Sequence, residues 1–204
     1  GQYCWAGHTY VQMVSFAAVL GRGDMAHNFL HCYRDRWVLP NGLHFNRELG
    51  RTGNSHFALD RREDISEQAP FTINETCGIA CGISDMLVQS WGDCLRMFPA
   101  VPATWLDLLF VDLLTEGAFR VSALMRQGQV RWVRITAGVA GSCRLRNPFP
   151  PGSDLDIRGC TPEQHGDVLA WDMSIEETVT FSLAGFGEPD LQQEGDAIRR
   201  SEVG

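Results

Sequence analysis

Apolar residues recur at helical spacing in the first half of this chain and alternate with polar ones in the second, which predicts helices followed by strands. From Trp5 to Leu20 the residues Tyr10, Val11, Met13, Val14, Phe16, Ala17, Ala18, Val19 and Leu20 are apolar nearly all round, as in a helix buried on more than one side. Gly21-Arg22-Gly23-Asp24 then reads as a tight turn with Asp24 capping the next helix. That helix, about 25–37, carries Ala26, Phe29, Leu30, Tyr33 and Trp37 on one face, and two helices joined by so short a turn pack antiparallel. A third helix is expected after Asn74 as cap, with Ile79, Ile83, Met86, Leu87 and Ser90 on a buried face. Within it Gly78 and Gly82 leave a groove for the close approach of another backbone. Between the second and third helices, 39–69 reads as loop, opened by the turn signal Pro40-Asn41-Gly42. A loop of that length inside a compact domain is commonly functional.

Past 91–102 the period changes. Leu106, Leu108, Leu109, Phe110 and Val111 lead into strands, and Phe119, Val121, Ala123 and Met125 alternate with outward neighbours. Gln127-Gly128 turns the chain into 130–136, a hairpin. Further strands are expected at 143–145, 168–171 and 178–183, the last with Val179, Phe181 and Leu183 inward. The proline-rich loop 147–152 interrupts them. The pattern is that of an α+β chain: helical residues 1–92, a small antiparallel β-sandwich over 93–184, and a polar, frayed tail over 185–204.

Composition narrows the function classes. With 204 residues, 44% of them hydrophobic, the chain can bury a substantial core. A formal charge of −8 with scattered basic residues offers no footprint for nucleic acid, and no apolar run is long enough to cross a membrane. No signal-peptide pattern stands at the N-terminus, and the chain opens almost at once with a helix, as a piece of a longer protein would. The seven cysteines, at positions 4, 32, 77, 81, 94, 143 and 160, are odd in number and follow no disulfide framework; most are expected to be small buried residues. Cys77 and Cys81 lack the spacing of a zinc or redox pair. His27 and His31 lie one helical turn apart without an evident third ligand, and a surface or half-buried pair is expected rather than a metal site. No cofactor is called for.

The run Pro70-Phe71-Thr72-Ile73-Asn74-Glu75-Thr76-Cys77-Gly78, with its helix ending Ser84-Asp85-Met86-Leu87-Val88-Gln89-Ser90, resembles the C-terminal end of the catalytic barrel in glycoside hydrolase family 95, the α-L-fucosidase family. Leu95-Arg96-Met97-Phe98-Pro99-Ala100-Val101-Pro102 is similar to the family's next segment, and Cys143-Arg144-Leu145-Arg146-Asn147-Pro148 is a third point of similarity. The resemblance, spread over roughly 5–183, implies the last helices of an (α/α)6 barrel followed by a β-sandwich. It implies inverting hydrolysis of terminal sugars on glycans in the full-length protein, a secreted or periplasmic location, and loops covering the sugar site. The catalytic acid would lie in helices upstream of this chain, which alone would be inactive. Its barrel helices would leave an apolar face for self-association or for the remainder of the parent chain.

An inverting hydrolase needs one carboxylic acid on the leaving oxygen and a base that activates water. Matching the run without gaps puts Asn74 at the family's aspartate and Glu75 at the glycine after it, and an amide cannot take up a proton at neutral pH. Three readings stay open: the base is lost, Glu75 supplies it from a shifted position, or the chain belongs to a branch with another arrangement. Without catalysis, Asn74 is a helix cap and Glu75 a carboxylate favoured in a first helical turn. Asn74-Glu75-Thr76 is also a formal glycosylation sequon, not expected to be used at a buried helix start. Gln12 falls near a position the family fills with histidine and can bond a sugar hydroxyl or a neighbouring helix. Trp91 can stack on a sugar face or seal a domain junction. A non-catalytic carbohydrate-binding or structural module is the alternative that Asn74 favours.

Overall fold

The computed structural model describes residues 6–44 and 72–202. Cys4, most of the expected loop and the Pro70-Phe71 lead-in therefore lie outside the described residues. The chain separates into two compact units, one of residues 1–86 with 99–102 and the other of 87–98 with 103–204.

The first unit is helical. Helix α1 (Gly7–Val19) stops where Gly21 takes φ +67°, and the amides of Gly21 and Arg22 return to the carbonyls of Ala18 and Ala17. Helix α2 (Gly23–Trp37) runs back along it, and Arg36 donates to the Tyr10 hydroxyl at 3.1 Å, far from the turn. Asp24 is not the cap expected of it: the helix begins at Gly23 and Asp24 lies inside its first turn, where a carboxylate still complements the helix dipole. The expectation that α1 is buried on several sides also fails. Tyr10, Val11, Val14, Ala17 and Ala18 are buried, but Phe16 is 58% and Leu20 69% exposed. Helix α3 (Ile73–Leu87) lies against α1 through its glycines: a Cβ on Gly78 would come within 2.6 Å of Val11 Cγ1, and one on Gly82 within 2.9 Å of Val14 Cγ1. Side chains rather than backbone fill that groove.

Three expectations about α3 are corrected. It starts at Ile73, so Asn74 is a first-turn residue and not its cap. It ends at Leu87, because the next residues pair as β1 (Val88–Gln89) with β2 (Arg96–Met97), which leaves Ser90 outside the helix. Only Gly82 and Met86 are buried, while Cys77 and Cys81 face solvent rather than the core.

Besides the β1–β2 pair, the second unit is built on two larger antiparallel sheets. The larger has the order β3 (Leu108–Leu114), β4 (Phe119–Arg126), β5 (Gln129–Ala137), β10 (Thr178–Leu183), β7 (Leu155–Arg158); the smaller has β6 (Gly141–Arg146), β9 (Val168–Met173), β8 (Glu163–His165). Gln127 and Gly128 both take positive φ, 53° and 71°, the primed turn that suits strand twist, so the predicted hairpin forms between β4 and β5. Register then aligns Val121, Ile135 and Val179 in one row across the sheet and Ala123, Val133 and Phe181 in the next, all fully buried. Trp171 of the smaller sheet packs on Phe181, ring centroids 5.1 Å apart. β4 does not alternate as predicted, because Ser122 and Leu124 are buried along with their neighbours. Ser122 is satisfied there: its hydroxyl donates to Asp112 Oδ1 at 3.1 Å and accepts the Asp112 amide at 3.0 Å, at the irregularity in β3 where Asp112 has φ 54°.

The expected frayed tail is instead helix α4 (Leu191–Glu202). Asp190 caps it, its Oδ1 accepting the amides of Gln192 and Gln193 at 3.1 Å each. Arg126 of β4 donates through Nε to Glu194 at 3.0 Å, which ties the helix to the sheet. Arg199 and Arg200 in its last turn complement the dipole.

Candidate functional site

Among the described residues of the first unit, six buried polar atoms have no hydrogen-bond partner: Tyr33 Oη, Trp37 Nε1, both ring nitrogens of His44, Thr72 Oγ1 and Glu75 Oε2. Their positions follow from local structure. Tyr33 and Trp37 are four residues apart on α2 and share its buried face. The Pro40-Asn41-Gly42 signal forms the turn it predicts. Gly42 takes φ +81° and donates to Leu39, Leu43 donates to Asn41 Oδ1, and Val38 bridges to His44. The turn carries His44 back against α2, where its ring lies nearly parallel to Tyr33 (7°, centroids 5.5 Å) and to Trp37 (12°, 6.0 Å). Its backbone amide donates to Thr76 Oγ1 at 3.1 Å, which fixes it beside the first turn of α3. Residue 7 must be glycine, since a Cβ there would run into the His44 ring.

Electrostatics couple these groups. His44 is 1% exposed, and burial holds its pKa below the ordinary 6.5, with the charge of Glu75 opposing and that of His8 adding to the effect. The ring is therefore neutral at pH 7, with one donor and one acceptor nitrogen. Burial, reinforced by Glu75, pushes the Tyr33 hydroxyl up to about 12 and keeps it a donor. Glu75 thus acts on both rings. Each buried polar atom left unpaired costs about 1–3 kcal/mol, so the cluster is an energetically unusual part of the first unit. Tyr33, Trp37 and His44 are at most 2% exposed, and the His44 ring itself stacks on the other two, so Glu75 and Thr72, both half-buried, are the members of the cluster nearest to solvent.

The residues singled out from sequence fare differently. Glu75 belongs to this cluster through Oε2, whereas Asn74, its neighbour, is exposed. Gln12 is exposed on α1. Trp91 belongs to the second unit and is 48% exposed; Arg96 lies over one face of its ring at 4.0 Å, and its Nε1 donates to Gln89 at 3.0 Å. One face of the would-be sugar platform is thus occupied by a guanidinium. Sequence reading missed Tyr33 as a polar group, counting it only as core, and missed His44 altogether. The signal available was a histidine placed just after a turn and preceded by an apolar residue.

A small cleft of about 90 Å³ in the second unit is lined by Ser90, Asp93, Glu116, Ser142 and Arg144 among others. Ser90 Oγ already accepts the Glu116 amide there at 3.1 Å. Among the described residues no group of three or more histidine, cysteine or acidic side chains is placed to hold a metal. No helix among them is long and apolar enough to cross a membrane. Compared with protein-family models and with curated proteins, the chain matches none.

Proposed function

We propose that this chain is the C-terminal part of a glycoside hydrolase resembling α-L-fucosidases, exported from the cell, which in its full-length form removes terminal sugars from glycans with inversion. The single observation that carries the reading is the Glu75 carboxylate. It stands in the first turn of α3, at the segment that resembles the family's catalytic turn, with one oxygen buried and unpartnered beside neutral His44 and Tyr33. A carboxylate so placed can accept a proton from water, the part that Asn74 cannot play. On this reading α1, α2 and α3 are helices of an (α/α)6 barrel. The exposed Phe16, Val19, Leu20, Met25 and Ile73 are then the surface that the remainder of the parent, or a second copy, covers. The acid comes from the parent chain, so the fragment alone is inactive.

The test is hydrolysis of a panel of aryl glycosides, α-L-fucoside and α-L-galactoside included, by the full-length parent. Glu75→Gln is expected to lower kcat by about 10²–10⁴-fold, the usual worth of a general base, while Asn74→Ala changes it only a few-fold. Equal loss in both variants would remove Glu75 from the role. The exposed amide of Asn74 at the family's aspartate position favours a second reading, a non-catalytic carbohydrate-binding module. Absence of turnover across the panel, with sugar binding still measurable by calorimetry, would establish it.

A further inference from the structure

Two histidines on α2 form a constellation that the proposed carbohydrate chemistry leaves unused. Residues 27 and 31 are four apart, so their side chains leave the helix on one face, a turn from each other. The rings meet edge to face, planes at 84° and centroids 4.3 Å apart, and the two Nε2 atoms are 2.9 Å apart. At that distance one Nε2 carries a proton and donates it, and the other accepts. Both side chains are half-buried and reachable from solvent. Burial, followed by the charge of His31, holds His27 below the ordinary 6.5; Asp24 opposes this and Arg34 adds to it.

We propose that His27 and His31 chelate a divalent cation of the Cu(II) or Ni(II) kind through their two Nε2 atoms, with water completing the coordination sphere. The spacing of the nitrogens suits a single shared ion, and the ligand type ranks the metals. With metal–nitrogen bonds of about 2.0–2.1 Å, adjacent corners of a square-planar or octahedral site lie about 2.9 Å apart and corners of a tetrahedron about 3.3 Å. The 2.9 Å separation is that of the hydrogen-bonded pair, close enough for a small turn of the rings to bring both nitrogens onto one ion. The order of affinities among first-row metals also puts Cu(II) ahead of Zn(II). Binding needs both lone pairs at Nε2, so the imidazole that donates shifts its N–H to Nδ1. The cation then stands between the two nitrogens where that proton was shared. With two protein ligands and exchangeable waters, the bound ion clips one turn of α2 and leaves corners open for an outside ligand.

The test is titration of the full chain at pH 7.5 with Cu(II), Ni(II) and Zn(II), read by calorimetry, by the Tm, and for Cu(II) by electron paramagnetic resonance. One equivalent of Cu(II) is expected to give a tetragonal signal with nitrogen ligation and to raise the Tm, with Zn(II) binding at least tenfold more weakly. His27→Ala and His31→Ala are each expected to weaken Cu(II) at least tenfold. Alanine favours helix, so both variants fold. His165→Ala, which removes an exposed histidine paired with Glu163 at 3.4 Å, is expected to leave the affinity unchanged. Cu(II) binding that survives in both α2 variants, or Zn(II) binding tighter than Cu(II), would overturn the proposal. Glu75→Gln keeps this site whatever it does to hydrolysis, so the two proposals fail separately.

Discussion

At the scale of single residues, His44 makes the sharpest claim. Its folded pKa is depressed by burial, so as pH falls the unfolded chain binds a proton before the folded chain does. The stability it contributes is intact above about pH 6.5 and is lost as pH falls from there through the lower folded value. Tyr33, held up at about 12, behaves as the mirror case and loses stability as pH rises past its ordinary value of about 10. His44→Phe keeps an aromatic ring between the α2 face and Gly7 and removes the titration. Denaturant midpoints measured at pH 7.5 and 5.5 are expected to drop more in the wild type than in this variant. Parallel drops would assign the acid sensitivity elsewhere, His27 being another histidine held below its ordinary value. Of the candidate site, Glu75 was legible because a polar pair at a helix start is a recognisable pattern. His44 was not: burial of a lone histidine is decided by what folds over it, here Tyr33, Trp37 and the missing side chain of Gly7.

Elements were legible wherever the pattern was local. The α2 stripe of Ala26, Phe29, Tyr33 and Trp37, the Gln127-Gly128 hairpin and the inward Val179 and Phe181 all declare themselves within a few residues. Helix α4 did not, since its composition is polar and its anchor is 68 residues away in sequence, at Arg126. Its start was nonetheless written in Asp190, whose side chain takes up two first-turn amides. Asp190→Ala is expected to cost about 1 kcal/mol of helix stability, the usual worth of such a cap. Hydrogen exchange should detect it as faster exchange of amides in α4 with those of β4 and β5 unchanged. Short strands β7 and β8 escaped for a related reason: Leu155–Arg158 and Glu163–His165 are mostly exposed and owe their conformation to pairing with β10 and β9.

For the whole molecule, the change from helical to alternating periodicity marked the α+β character, and the two units bear it out. Their chain paths do not coincide with a single boundary, because pairing of β1 with β2 draws 87–98 into the second unit before 99–102 rejoin the first. The first unit also presents Phe16, Val19 and Leu20 to solvent, an uneconomical surface for a freely monomeric protein. The double variant Phe16→Ser, Leu20→Ser is expected to lower the sedimentation coefficient of the isolated chain towards that of a monomer. Wild-type chain that already sediments as a monomer at high concentration would rule out self-association through this face.

The return of 99–102 also governs how this protein can be dissected. At the start of α2, Gly23 lies so close to this short segment that a Cβ would stand 2.7 Å from the Ala100 carbonyl oxygen and closer still to that of Val101. A cut before 87 strips that support from the helices, and a cut after 102 leaves the sheets without β1 and β2. No single cleavage point yields both units entire, so neither can be released whole by one cut.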